Sequence, residues 1–257
     1  MASPGRDVKL SKDRILGNRN FITKIWSANS FLKLNKCMLK KKINLKEIKL
    51  PINQWIFNEF IETQILVTKN IENFRFDEAA RHVYKFVWHS YCDWYLEFLK
   101  PIFNSKNKHE VMEAKNFSSF MLANILKILH PFIPFFTETV WEKNKFNNFF
   151  KSDLILAEWP VYRKQKIFNK DQENITKLIE LISNIRSTKA ELNITPKLFC
   201  DIIFLDKSKK LKLLINQNMS LIKQVGRVNS LYDKKNFDKN TIKILVLKEK
   251  LGLKFNE

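Results

Sequence analysis

The sequence predicts a mainly α-helical protein, an antiparallel helical bundle followed by a small α/β appendage. Only four glycines and seven prolines punctuate the 257 residues, so few positions break long helices. Through most of the first 160 residues, apolar side chains recur at spacings of three and four, which places them on one face of a helix. Hydrophobic residues make up 45% of the chain, which is enough to build a buried core.

The first helix is predicted over residues 13–35, with Ser11 as its N-cap. Its apolar face consists of Ile15, Ile22, Ile25, Trp26, Asn29 and Leu32. A lysine-rich connector at residues 40–42 leads to the second helix, which is predicted over residues 52–73 with Pro51 suited to its first turn. The second apolar face includes Trp55, Ile56, Phe60 and Val67.

The third helix is predicted over residues 76–99. Asp77 and Glu78 lie in its first turn, where their charges complement the helix dipole, and Pro101 is expected to end it. Its apolar face consists of Phe76, Ala80, Val83, Val87, Tyr91, Trp94 and Phe98.

The fourth helix is predicted over residues 114–130, and two prolines in His130-Pro131-Phe132-Ile133-Pro134 separate it from a further helix. That helix carries Glu138 and Trp141. We interpret the prolines as an architectural break that lets two helices pack together. Helices of these lengths with short connectors are typical of an antiparallel bundle.

The chain changes character after residues 159–160, Trp159-Pro160. Residues 171–192 have the pattern of a long amphipathic helix, whereas residues 198–205 and 241–247 have the pattern of strands. Residues 208–225 between the strands are helix-like. This mixture predicts the small α/β appendage.

The formal net charge of +20 favours a polyanionic partner. Only eight of the 46 basic residues are Arg, however, and the chain is also rich in Asn, Ile and Phe. An AT-rich genome produces the same bias. Part of the charge therefore reflects base composition, and the charge alone supports nucleic-acid binding only moderately.

The cysteines and the N-terminus bear on the cellular compartment. Cys37, Cys92 and Cys200 lie far apart and are odd in number, so neither a disulfide framework nor a zinc site is predicted. Residues 1–7 lack the apolar core of a signal peptide, and no stretch approaches the roughly 18 apolar residues that cross a bilayer. We expect a cytoplasmic monomer without membrane contact.

The chain contains few residue patterns that support catalysis. Its scattered glycines cannot form a Gly-x-Gly-x-x-Gly or Gly-x-x-x-x-Gly-Lys phosphate loop. His82 and His89 are seven residues apart, but such a pair more often belongs to a polar surface than to a metal site. No Ser/His/Asp or Cys/His arrangement has a recognisable setting. The residues predict a binding module with no catalytic residue and no metal site.

Four segments carry a resemblance to a known family. The first is Gly5-Arg6-Asp7-Val8-Lys9-Leu10-Ser11 together with Arg19-Asn20-Phe21-Ile22-Thr23-Lys24-Ile25-Trp26. The second runs from Phe74-Arg75-Phe76-Asp77-Glu78-Ala79-Ala80 through Cys92-Asp93-Trp94-Tyr95-Leu96-Glu97. The third is Leu129-His130-Pro131-Phe132-Ile133-Pro134-Phe135-Phe136-Thr137-Glu138, ending in Trp141. The fourth combines Ile185-Arg186 with Glu191-Leu192-Asn193-Ile194-Thr195-Pro196.

These segments resemble valyl-tRNA synthetases, in the region where the chain leaves the catalytic domain and forms the anticodon-binding bundle. The third segment is similar to a signature shared by the valyl, isoleucyl and leucyl enzymes. The fourth, together with Cys92-Asp93-Trp94, is typical of the valyl enzymes. The resemblance covers residues 4–200 and, more loosely, the tail.

The resemblance implies that this chain binds the anticodon of valine tRNAs. A catalytic domain, which would use ATP with magnesium to attach valine, and an editing domain would both precede Met1, so no cofactor is expected in this chain. Three regions follow: the tail of the catalytic domain or a linker (1–12), the anticodon-binding bundle (13–164), and a junction helix with the α/β region (165–257). The alternatives are the same domain of an isoleucyl or leucyl enzyme, a free-standing RNA-binding protein derived from it, and a helical scaffold without an RNA role.

Two helix faces are candidates for RNA contact. Specific RNA recognition mostly stacks splayed bases on aromatic rings and hydrogen-bonds to their edges. At about 100° per residue, the candidates share one face on each helix. They are Asn20, Lys24, Ser27 and Phe31 on the first helix, and Arg81, Lys85 and Trp88, followed by Cys92, on the third. Arg14 and Arg19 are candidates for phosphate contact. The alternative is that both faces pack against neighbouring helices.

We expect the isolated chain to form no valyl-adenylate and to charge no tRNA, because its sequence has no phosphate-binding loop and no nucleophile arrangement. Valine-dependent ATP–pyrophosphate exchange measures this, with a mock purification as the contamination control. Exchange above that control would contradict the expectation.

Overall fold

A computed structural model describes residues 11–163, 169–205, 209–234, 236–238 and 241–255. The chain divides into two compact units, Met1–Asn169 and Lys170–Glu257. The predicted boundary between residues 164 and 165 lies outside the described residues, as do residues 1–10 of the predicted linker.

The first unit is helical, as predicted. Its helices are α1 (Lys12–Leu34), α2 (Pro51–Glu72), α3 (Phe76–Lys85), α4 (Leu96–Phe103), α5 (Lys108–Leu129), α6 (Pro134–Lys143) and α7 (Phe146–Phe150). A π-helical segment, Phe86–Tyr95, joins α3 to α4 and makes them one continuous helix, here called the α3–α4 helix. The described residues of the unit also contain two 3₁₀ turns, Leu45–Glu47 and Leu154–Leu156.

The long helices alternate in direction, as an antiparallel bundle requires. α1 and the α3–α4 helix run in the same direction, whereas α2 and α5 run in the opposite one. The contacts that establish these directions are Phe21–Tyr84, Phe31–Phe103, Trp55–Phe98, Phe60–Phe86, Asn53–Glu113 and Phe57–Phe120. Aromatic rings dominate the core between them, and Phe57, Phe60, Phe98 and Phe117 are almost completely buried.

Two predicted helix ends and one predicted cap hydrogen bond differ from the structure. Pro101 does not end the third helix, which continues to Phe103, because a proline this close to a C-terminus removes only one helical hydrogen bond. α5 begins at Lys108 and not at residue 114, since the Asn107 side chain caps it by accepting from the backbone N–H groups of His109 and Glu110. Ser11 occupies the N-cap position of α1, but its side chain makes no capping hydrogen bond.

The predicted apolar face of α1 is only partly correct. Ile25, Asn29 and Leu32 are buried, whereas Ile15 is 53% exposed and Trp26 is 41% exposed. Ile15 lies in the first turns of α1, where no described side chain is buried, so these turns have no extensive packing among the described residues.

The proline-containing segment is a helix break, as interpreted. α5 ends at Leu129 and α6 begins with Pro134 as its first residue. Nδ1 of His130 lies 2.8 Å from Oγ1 of the buried Thr137, which connects the two helices across the break. On α6, the Glu138 carboxylate accepts from the backbone N–H of Leu154 at 2.9 Å, so this residue of the third segment has a structural partner.

The second unit combines helices with a four-stranded sheet, which confirms the predicted α/β appendage. Its helices are α8 (Asn169–Glu191), α9 (Lys209–Gln217) and α10 (Met219–Gly226), and its strands are β1 (Cys200–Leu205), β2 (Val228–Lys234), β3 (Ile242–Val246) and β4 (Glu249–Phe255). The strand order is β2-β1-β4-β3, with β1 and β2 parallel and the other pairs antiparallel. The sequence predicts β1 and β3 but not β2 or β4.

Asn193 in the fourth family segment ends helix α8. Its backbone is left-handed, with φ of 53°, a conformation that Asn tolerates better than most residues. The backbone N–H groups of Asn193 and Ile194 return to the carbonyls of Ala190 and Lys189, which closes a Schellman motif. The segment therefore caps the junction helix.

Glu113 on α5 holds the start of α2. Its carboxylate accepts hydrogen bonds from the backbone N–H of Lys49, the backbone N–H of Leu50 and Nδ2 of Asn53. Oδ1 of Asn53 in turn accepts from the buried Tyr95 hydroxyl at 2.9 Å. One carboxylate thus connects three helices through partly buried donors.

Replacing Glu113 with Ala should lower the free energy of unfolding by about 2–3 kcal/mol, because the donors that face the carboxylate lose a charged acceptor. Chemical denaturation measures the loss. Glu142→Ala is the matched control, since this exposed glutamate on α6 should change stability by no more than about 0.5 kcal/mol. Equal effects of the two substitutions would show that Glu113 does not hold α2.

Candidate nucleic-acid interface

The two predicted RNA-binding faces lie next to each other, because α1 packs beside the α3–α4 helix. Nζ of Lys24 is 4.0 Å from the ring centroid of Trp88 and 2.5 Å from Oδ1 of Asp93. Nδ1 of His89 lies 3.3 Å from the other carboxylate oxygen of Asp93. These residues lie on two separate helices in the sequence, and the fold brings them together. We call the whole contact between α1 and the α3–α4 helix the α1/α4 seam.

An aromatic cluster occupies the N-terminal end of the α1/α4 seam. Tyr84 stacks on Trp88 with centroids 5.5 Å apart and an interplanar angle of 18°, and Phe21 lies 4.8 Å from Tyr84. The cluster borders a groove of about 370 Å³ that Asn18 and Arg81 also line. Phe21 and Tyr84 were not predicted as site residues, although Tyr84 lies one helical turn before Trp88 and Phe21 belongs to the first family segment.

Phe31 lies near the C-terminal end of the same seam. Its ring centroid is 5.9 Å from that of Phe103, and the side chain is half-buried. One side of Phe31 therefore packs on α4, as in the alternative that this face of α1 packs against a neighbouring helix. The remaining part of the ring faces solvent beside the exposed residues Ser27 and Leu34.

The other candidate residues are mainly exposed. Asn20, Ser27, Arg81 and Lys85 are exposed, and Arg81 forms an ion pair with Glu78 at 3.2 Å. The Ser27 hydroxyl donates to its own helix, to the carbonyl of Thr23. Arg19 is exposed as well, whereas the side chain of Arg14 lies outside the described residues.

Cys92 does not share the exposed face predicted for it. It is 8% exposed and lies in the π-helical segment, where hydrogen bonds run from residue i to i+5. Such a helix turns by less than 100° per residue. Residues spaced to share one face of an α-helix therefore do not share a face here, and Cys92 points toward the core. The π-helical segment thus separates Cys92 from Arg81 and Lys85.

The seam offers cations, amides and aromatic rings, which are the groups that bind single-stranded RNA.

Among the described residues, no group of three or more His, Cys, Asp and Glu side chains could hold a metal ion. None of the helices in the described part of the chain has both the length and the apolar character of a membrane span.

Comparison with known families decides the assignment. Residues 53–204 match the family model of the anticodon-binding domain of tRNA ligase. The chain belongs to this family. The match begins in α2 and ends in β1, so it includes the α3–α4 helix and the proline-containing break.

Relatives confirm the resemblance to the valyl enzymes. The chain is 42% identical over 257 residues to the valine–tRNA ligase of Pelagibacter ubique, an alignment that covers all of this chain and 29% of that ligase. It is 38% identical over 235 residues to the valine–tRNA ligase of Rhizobium meliloti, which covers 90% of this chain and 24% of that ligase. The chain therefore spans less than a third of the length of these relatives, and it corresponds to their anticodon-binding portion.

The three cysteines should be unreactive in the folded domain. Burial raises the pKa of the Cys92 thiol to about 12 and that of Cys200 to about 11, and it also raises the pKa of Cys37. Because these pKa values are raised, the reactive thiolate is scarcer at pH 8 than in a free cysteine.

We expect 5,5′-dithiobis(2-nitrobenzoate) at pH 8 to label native protein far more slowly than protein unfolded in guanidinium, which should release three equivalents. Absorbance of the released thiolate measures both rates. Rapid labelling of one thiol in the native protein would contradict the burial of that side chain.

Proposed function

We propose that this chain binds the anticodon loop of valine tRNAs as the anticodon-binding portion of a valine–tRNA ligase. The observation that supports the proposal best is the α1/α4 seam of a chain that belongs to the anticodon-binding family. An anticodon loop presents unstacked bases, and the seam presents partly exposed rings beside exposed polar side chains.

Phe31 is the proposed stacking residue. Its contact with Phe103 holds the ring in place, so little conformational entropy is lost when a base covers the exposed part. Trp88 is less suited to this role because Tyr84, Phe21 and Lys24 already contact its ring. Arg81 and Lys85, which are exposed, remain available for phosphate contacts near the aromatic cluster.

Lys24 has a positioning role in this proposal. Its ammonium group is partly buried between the Trp88 ring and the Asp93 carboxylate, so it joins α1 to the α3–α4 helix. The exposed residues Asn20 and Ser27 lie on the same face of α1 and can hydrogen-bond to base edges. Asn20 and Phe31 are about 16 Å apart along the helix, a length that spans several nucleotides of a single strand.

The complete ligase would use the chain for positioning. Valine, ATP and magnesium would bind in the part of the ligase that this chain does not include, and the anticodon domain would hold the tRNA so that its acceptor end reaches that part. Such positioning raises the effective concentration of the reacting groups and leaves the bond chemistry to the catalytic domain. We further propose that the ligase acts in the cytoplasm as a monomer.

Substituting Phe31 tests the proposal. Phe31→Ala should weaken binding to an in-vitro-transcribed valine tRNA by about 1–3 kcal/mol, roughly 5- to 150-fold, because one base stack is lost. Phe31→Leu retains an apolar contact with Phe103, so it should weaken binding while keeping the melting temperature close to that of the unchanged chain. Fluorescence titration and thermal unfolding of the same preparations measure both quantities.

Phe135→Ala is the control for loss of an aromatic ring, since Phe135 is 90% exposed on α6. It should leave both tRNA affinity and stability unchanged. A tRNA of the same body with an isoleucine anticodon should bind more weakly than the valine tRNA to the unchanged chain. Unaltered affinity of Phe31→Leu, or equal affinity for the two anticodons, would argue against the proposed function.

A further inference from the structure

A basic groove lies between the connector after α1 and the start of α5. It has a volume of about 530 Å³, and we call it the lysine groove. Its six lysines are Lys36, Lys40, Lys41, Lys42, Lys49 and Lys115. None of their ammonium groups lies within 4.0 Å of a carboxylate of any described residue.

The two glutamates of the lysine groove accept from neutral donors and not from the lysine ammonium groups. Glu113 accepts from two backbone N–H groups and from Asn53 at the start of α2. Glu47 accepts from Nδ2 of Asn44 at 2.8 Å. Five of the six lysines are exposed and Lys115 is half-buried, and the residues that line the groove include two carboxylates. The groove therefore carries a net positive charge.

The backbone that carries these lysines is held in place. The buried Asn116 accepts from the backbone N–H of Lys40 at 2.8 Å and donates to the carbonyl of Lys41 at 3.3 Å. Lys36 has a left-handed backbone, with φ of 55°, and the N–H of Cys37 returns to the carbonyl of Leu32. The connector thus presents its charges from an ordered surface, which lowers the entropic cost of binding an anion.

The lysine groove adjoins the α1/α4 seam. Nζ of Lys115 lies 5.9 Å from the ring centroid of Phe103, and the ring centroid of Phe31 lies 5.9 Å from the same point. Lys115 of the lysine groove and Phe31 of the seam therefore lie near the same aromatic ring.

We propose that the lysine groove binds the phosphate backbone of the RNA strand next to the base that stacks on Phe31. The identity of the RNA rests on the proposed function, whereas the preference for phosphates rests on the groove itself. Lysine binds phosphate as a point charge, and phosphate contacts position a nucleic acid without reading its sequence. The groove therefore contributes affinity and register, and the seam contributes anticodon preference.

Neutralising the connector tests this division. In the full chain, the triple variant Lys40→Gln, Lys41→Gln, Lys42→Gln should bind valine tRNA on the order of tenfold more weakly at 0.1 M salt. The slope of log affinity against log salt should fall by about 2–3, because each phosphate contact contributes roughly one released ion. The ratio of affinities for the valine and isoleucine anticodons should stay unchanged.

The control variant is Lys69→Gln, Lys145→Gln, Lys151→Gln, which removes the same charge from exposed lysines outside the groove. It should change the salt slope by less than one. Equal losses of tRNA affinity in the two triple variants would overturn the groove assignment. If the unchanged chain still preferred the valine anticodon, the proposed function would stand. Larger loss in the groove variant, without any anticodon preference in the unchanged chain, would support the groove and refute the proposed function.

A single-site pair separates binding from folding. Lys36 and Lys151 both have left-handed backbones, with φ of 55° and 53°, so glycine at either position relieves strain. Lys36→Gly should lower RNA affinity about threefold at 0.1 M salt without lowering the melting temperature. Lys151→Gly should leave the affinity unchanged. A loss of affinity in both variants, or in neither, would overturn the assignment of Lys36 to the groove.

Discussion

The packing of α1 against the α3–α4 helix is the constraint on which the candidate interface depends. These helices are adjacent and run in the same direction, so residues in the same order along each meet in one seam. Lys24 joins them through both a ring and a carboxylate. Without this contact, Phe31 would lose the support of Phe103, and the aromatic cluster would separate from the first helix.

Helices of the bundle could be predicted well from the sequence, whereas half of the sheet could not. Periodic apolar residues and a proline at N1 signal α2 directly. β2, by contrast, is an edge strand with polar residues on much of its length, so it lacks an alternating pattern. The β3–β4 hairpin turns on Leu247 and Lys248, both with positive φ, in place of the Asn-Gly pair that normally marks such a turn.

The candidate interface was predictable on α1 and less so on the third helix. α1 is a regular α-helix, so an angle of 100° per residue places Asn20, Lys24 and Phe31 on one face. The third helix changes to π-helical winding at Phe86, which no local residue pattern announces, and the assumed angle then fails for Cys92. Contacts between rings on different helices, such as Phe31 and Phe103, depend on tertiary packing. They cannot be predicted from the periodicity of a single helix.

The arrangement of groups along α1 separates two tasks that RNA recognition requires. Rings and amides lie along the helix, where they can meet bases. Lysines that pair with no carboxylate of the described residues lie just beyond its C-terminal end, where they can meet phosphates. A base stack gives anticodon preference only when the neighbouring backbone is held in register, since a strand free to slide could offer a different base. In the proposed interface, the lysine groove would supply that register from an ordered connector, so the Asn116 hydrogen bonds to the connector backbone would contribute indirectly to which base meets Phe31.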